Sequence, residues 1–208
     1  MMMTARDEIL ARLESSDVPM PERKARPRAF PNLVEEFAAS LRDAEGEVFL
    51  APDLDSAIEQ AAGIFTELEA DSVVAHREPP LSGIDLSQRF PGRQFHFPDD
   101  SGDYRAACAS ADAGFTSAEA ALAATGSLVL VSSPTQARMT SLLPPVHLVL
   151  LPEPKILPSI FEWIEQRPAE FPANLVLVSG PSKTADIEQT LVVGVHGPGR
   201  LIVIVYSD

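Results

Sequence analysis

Short apolar runs alternate with amphipathic helical stretches along this chain, and that alternation restricts the fold more than any other feature. Leu33, Val34, Phe37, Ala38 and Leu41 recur at helical spacing, with Asn32 placed as an N-cap and Glu35 three residues on. Gly46 breaks that helix, and Val48–Ala51 reads as a strand. Asp53 or Asp55 caps the next helix, whose face is Leu54, Ala57, Ile58, Ala61, Phe65 and Leu68; Ser72–Ala75 then reads as another strand. Strands that alternate with helices predict an α/β fold with a largely parallel sheet covered by other elements.

The pattern weakens and then returns. Pro79, Pro80, Pro91 and Pro98 cut residues 76–104 into pieces, among them a short helix over 81–86 and a short strand over 94–97. Residues 105–113 are alanine-rich and no period places them. Thr116 as N-cap with Glu119 predicts a helix carrying Ala118, Ala121 and Leu122, which Thr125-Gly126-Ser127 ends. Leu128–Ser132 and Val146–Leu151 read as strands, and Ile156, Leu157, Ile160, Phe161 and Ile164 as one amphipathic helix. At the other end, residues 4–15 read as a short helix. Residues 16–30 hold Pro19, Pro21 and Pro27 among Arg23, Lys24, Arg26 and Arg28, which reads as an extended arm. The chain thus divides into an N-terminal helix and arm (1–30) and an α/β domain (31–208).

Composition excludes several function classes. The formal net charge of −14 argues against nucleic acid as a partner, because phosphate binding needs clustered cations. No run approaches the roughly 18 apolar residues of a membrane span. The first residues lack the basic region and apolar block of a signal peptide, so a cytoplasmic protein is expected. The one cysteine, Cys108, excludes an internal disulfide framework and a cysteine-rich metal site, and the four histidines are too scattered for metal-ligand spacing.

The chemistry-bearing stretch is Ser179-Gly180-Pro181-Ser182-Lys183-Thr184-Ala185-Asp186-Ile187-Glu188, followed by Gly194-Val195-His196-Gly197-Pro198. It lies between the apolar runs Asn174–Val178 and Leu201–Val205. A strand that ends in Ser-Gly-Pro-Ser and turns into a short helix offers free N–H groups and a favourable dipole to an anion. Ser179, Gly180, Ser182, Lys183, Thr184 and Gly197 are therefore candidate ligand residues; the plainer alternative is a capped helix start with Ser182 as N-cap. Asp186 and His196 could form a hydrogen-bonded pair for acid–base work, with Glu188 nearby, or His196 could be a turn histidine bonded to backbone. Arg138 suits bidentate binding of a carboxylate, or forms a surface salt bridge. His147 reads as a core or edge histidine, and Cys108 as a buried, inert thiol.

Taken together, Ala113-Gly114-Phe115-Thr116, Ala123-Ala124-Thr125-Gly126-Ser127-Leu128-Val129-Leu130, Arg138, Leu143-Pro144-Pro145-Val146-His147 and the Ser179–Pro198 block occur in an order that resembles lactate utilization protein C, a LUD-domain family. The likeness covers roughly residues 105–205. It implies a NagB/RpiA/CoA transferase-like fold, an open mostly parallel sheet with helices on both faces. It also implies an accessory subunit in a three-protein, iron–sulfur-dependent oxidation of L-lactate to pyruvate. This sequence has no cluster-binding cysteine motif, so no cofactor is expected on the chain and the iron–sulfur clusters are placed on its partners. Thr125 and Gly126 join the expected small-anion pocket at the C-terminal strand ends. The family often has Glu before that Thr-Gly pair where this chain has Ala124. The competing reading is a stand-alone enzyme of the same fold acting on a phosphorylated or CoA-linked small molecule. Whether the chain catalyses a step itself, and whether it forms a homo-oligomer, stay open.

Overall fold

A computed structural model describes residue 6 and residues 30–166, 172–184, 192–194 and 197–207. The N-terminal helix and most of the arm expected over residues 1–30 lie outside these, as do Asp186, Glu188 and His196. Helix α1 (Leu33–Asp43) begins where expected, with the Asn32 side chain accepting from the Val34 and Glu35 N–H groups at 3.0 and 3.2 Å. Strand β1 (Glu47–Ala51) follows, and Asp53 caps helix α2 (Leu54–Glu67) by accepting from Ser56 N–H at 2.7 Å. Then come β2 (Ser72–Ala75), the short helix α3 (Leu86–Arg89), β3 (Gln94–His96), helix α4 (Tyr104–Ser110) and β4 (Ala113–Ser117). The alanine-rich stretch without a period is thus α4, opened by Asp103, whose side chain accepts from Ala106 N–H.

The next segment differs from the sequence reading. Residues 113–122 are not a capped helix but β4 and then β5 (Ala120–Leu122), and nearly every side chain there is buried. Alanine favours a helix in isolation, but small side chains also suit a strand enclosed on both faces, and tertiary burial decides. Strand β6 (Ser127–Val131), the one-turn helix α5 (Met139–Leu142) and strand β7 (Val146–Pro152) follow. Ile156–Leu157 form a strand, β8, rather than the start of a helix. Helix α6 (Ile160–Gln166) packs Trp163 and Ile160 inward and leaves Phe161 and Ile164 of the expected apolar face exposed. The remaining strands are β9 (Leu175–Val178), β10 (Lys183–Thr184), β11 (Val192–Val193) and β12 (Arg200–Tyr206). Ser182 therefore leads into a strand, not a helix.

The main sheet has six strands in the order β1-β12-β7-β4-β2-β3, and every pairing is parallel. Strand β12 is inserted between β1 and β7, so both of its edges are paired, and elements packed on either side of the sheet cover both of its faces; this explains the unbroken apolar run Leu201–Val205. On one face, α2 presses Ala57, Ile58, Ala61 and Phe65 against Phe115, Leu148, Leu150, Ile202 and Ile204. Phe65 meets Phe90 and Phe115 edge to face, with ring centroids 5.6 and 5.3 Å apart. The opposite face is covered by α1, through Phe37, Ala38 and Leu41, and by a second, four-stranded sheet in the order β8-β5-β6-β9. Leu128 and Leu130 of that sheet pack toward Val149, Leu151 and Val203. The observed fold is α/β with a mostly parallel sheet flanked by helices, as the sequence predicts; the antiparallel second sheet is an addition the helix-strand alternation did not announce.

Candidate functional site

Val178 of β9 runs into Ser179 and Gly180 at the foot of the second sheet, opposite the first residues of β7 and β12. Between them lies a cavity of about 200 Å³ lined by Val176–Val178, Ser179, Gly180 and Ser182 on one side and by Ser141, His147, Gly197 and Pro198 on the other. Four of the expected ligand residues (Ser179, Gly180, Ser182 and Gly197) thus come together around one space. The space lies at the C-terminal end of β9 but at the N-terminal ends of β7 and β12, so the expected placement at the C-terminal strand ends holds for one strand only. Backbone bonds hold the rim: Ser182 N–H donates to the Pro198 carbonyl at 2.8 Å, and Gly194 N–H donates to the Ser182 carbonyl at 2.9 Å.

The other candidates are placed differently. Thr125, Ser127 and Ser179 form a chain of hydroxyls, each 2.7 Å from the next, so Thr125 reaches the cavity only through two neighbours. Gly126 has φ +62°, and a Cβ there would lie 2.3 Å from the Leu41 backbone nitrogen. It is the point where the loop touches α1, a packing role rather than a lining one. Lys183 turns away: its ammonium pairs with Glu45 at 2.8 Å, just past α1. Arg138 is exposed at the start of α5, has no ion pair among the described residues, and contributes its backbone carbonyl to Ser141 Oγ at 3.1 Å. Thr184 is described in its backbone only, as part of β10. Among the described residues the cavity wall carries hydroxyls and an imidazole but no cation.

The imidazole is the residue whose part in the site the sequence did not reveal. His147 is fully buried at the start of β7, and its Nε2 lies 2.8 Å from Thr116 Oγ1 on β4. Burial, reinforced by the nearby His76, lowers its pKa to about 3, so the ring is uncharged at neutral pH. Its Nδ1 has no hydrogen-bond partner among the described residues. Thr116 spends its hydroxyl on this ring, which is why it does not cap a helix. Gly114, level with His147 across the sheet, allows α5 to lie against β4: a Cβ there would be 1.9 Å from the Thr140 carbonyl oxygen. The Gly-Phe-Thr run therefore has three separate jobs: closeness to α5, the aromatic cluster, and the histidine's partner.

The LUD-domain family profile matches residues 34–206. The chain belongs to the LUD-domain family. Within it, lactate utilization protein C of Halalkalibacterium halodurans is 31% identical over 160 residues, 73% of this chain and 70% of that protein. An uncharacterized Escherichia coli K12 protein, YkgG, is 32% identical over 161 residues with the same coverage of both chains. A higher identity, 45% over 96 residues, links the chain to an uncharacterized protein of Neisseria meningitidis serogroup B, but this stretch spans only 41% of that protein. The crystal structure of a DUF162 family protein from Deinococcus radiodurans superposes with a TM-score of 0.57 at 22% identity, covering 84% of this chain and 96% of the other, and establishes likeness of fold. In LUD-domain terms, the residues that carry the resemblance fall on β4, the β5–β6 turn, the start of β7 and the rim of the cavity. Ala124 lies in that turn, its N–H donating to the Pro158 carbonyl at 3.0 Å.

Proposed function

We propose that this LUD-domain protein serves L-lactate oxidation to pyruvate as an accessory subunit of a three-protein, iron–sulfur-dependent system. The observation that carries the reading is its likeness to lactate utilization protein C along most of both chains. The sequence supports the division of labour: a cysteine-ligated cluster needs several thiolates, and the one cysteine here, Cys108, is buried on the inner side of α4. The residues of this chain do not fit such a cluster, so the clusters sit on the partners. The chain's own contribution is a small-ligand pocket at Ser141, His147, Ser179, Ser182 and Gly197, where hydroxyl donors rather than a cation meet a small carboxylate.

Affinity purification of the tagged chain from lactate-grown cells tests this. Cluster-bearing, cysteine-rich proteins should co-purify, and lactate oxidation should need the assembly. Turnover of lactate, or of a phosphorylated or CoA-linked substrate, by the purified chain alone would replace this reading with the stand-alone enzyme.

A further inference from the structure

The cavity beside His147 has more room, and a more apolar wall, than lactate uses. Its volume is about 200 Å³. Benzene fills an apolar cavity of about 150 Å³, and lactate has no more non-hydrogen atoms than benzene. Roughly two further atoms therefore fit. We propose that the pocket prefers a lactate homologue with a branched aliphatic side chain, about two carbons larger than lactate itself. This rests on the reading above that the pocket takes a small carboxylate, and it specifies the size and the side chain of that carboxylate.

Two short segments, 176–182 and 197–201, supply most of the wall, and the bond from Ser182 N–H to the Pro198 carbonyl ties them together at 2.8 Å. Each segment is polar at one end and apolar at the other. At the polar end the position of Gly197 is decisive: a Cβ there would stand 3.2 Å from Ser182 Cβ, 3.5 Å from Ser182 Oγ and 3.9 Å from the Leu142 carbonyl oxygen. The missing side chain leaves Ser182 open to the cavity. The other hydroxyls are engaged, Ser179 Oγ with Ser127 Oγ at 2.7 Å and Ser141 Oγ with the Arg138 carbonyl at 3.1 Å. Ser182 Oγ has no hydrogen bond among the described residues, so it is the donor left for a carboxylate oxygen, close to a backbone carbonyl that can accept from a 2-hydroxyl.

The apolar end is Val176, Val178 and Leu201, which pack into one hydrophobic cluster and line the cavity together. Lactate offers this hydrocarbon wall a single methyl group. An isopropyl group in its place covers more of the wall and removes more apolar surface from water. With no cation in the described wall to add affinity through charge, burial of the side chain becomes the main means of telling one 2-hydroxy acid from another.

Calorimetric titration of the full chain with L-lactate, L-2-hydroxybutyrate and L-2-hydroxyisovalerate tests the proposal. Affinity should rise about threefold with each added carbon, so that hydroxyisovalerate binds about tenfold more tightly than lactate. Val176→Phe fills the apolar end from a half-buried position on the edge strand β9 and should reduce that ratio to below about twofold while lactate still binds. Ser182→Ala acts at the polar end and should weaken all three acids alike, by about fivefold, with the ratio unchanged. Lactate binding as tightly as hydroxyisovalerate, or a folded Val176→Phe that keeps the tenfold ratio, overturns the proposal and leaves the carboxylate reading standing. If none of the three binds at about 10 mM, or if Ser182→Ala binds them like the unaltered protein, the carboxylate reading falls and the proposal with it. Should Val176→Phe fail to fold, the affinity series of the unaltered protein decides alone.

Discussion

On one face of the six-stranded sheet, Phe65 lies edge to face against Phe90 and Phe115 among aliphatic neighbours. On the other, beneath α5, Thr116 and His147 are buried and hydrogen-bonded to each other, with Thr140 bonded to Tyr104 close by. The strands are the same; the two surfaces follow different physical rules. The aromatic side gains free energy from every group it hides. The polar side gives some back, because each hidden imidazole or hydroxyl loses water and needs a partner. The cavity bordered by His147 lies on the polar side, so the side that is costlier to bury is also the side where the lactate-system ligand is proposed.

That contrast can be broken by mutation. Phe65→Ala should cost about 3–5 kcal/mol in chemical denaturation, the usual loss for a large aromatic removed from a close-packed core. Thr116→Val keeps the shape but strips the partner from His147, and should cost less, about 1–3 kcal/mol. An equal or larger loss at Thr116 would show that the polar side is the structural keystone instead.

The two sides should also separate in pH. His76 and His147 are neutral in the folded protein, with pKa values lowered to about 4 and about 3, whereas an unfolded histidine titrates near 6.5. Below about pH 6.5 the unfolded chain therefore binds protons that the folded chain refuses, and stability falls as the pH drops toward 4. The loss should approach roughly 2 kcal/mol per histidine at pH 5. His76→Gln should flatten part of this slope, and Phe65→Ala should leave the slope alone while lowering the whole curve. A smaller effect calibrates the scale: Asp53→Ala removes the α2 cap and should lower stability by less than Thr116→Val, with a loss that fades only as the pH falls into the carboxylate range.

The legible parts of the fold were those where one local rule acted alone. Asn32 and Asp53 cap helices because a short polar side chain precedes an apolar period, and Val146–Pro152 and Arg200–Tyr206 are strands because both faces are covered. The reading failed where a residue had a distant partner. Thr116 looks like a cap until His147 is seen 2.8 Å away, and Ile156–Leu157 look helical until β5 is found beside them. The candidate site was legible in part. Ser179, Gly180, Ser182 and Gly197 do share a cavity, but Lys183 is drawn off by Glu45, a residue 138 positions earlier that no spacing rule connects to it. His76 carried no motif; it becomes notable only through the hydrogen bond its Nδ1 lacks among the described residues.

The most direct measurement is growth on L-lactate by a strain that depends on this chain, carrying Ser141→Ala with Ser182→Ala at normal protein level. The account predicts impaired growth on lactate and ordinary growth on another carbon source, with Phe90→Leu, a change on the aromatic side, matching the unaltered protein once its level is matched. Full growth of the double variant on lactate would contradict the claim that the cavity beside His147 serves lactate utilization.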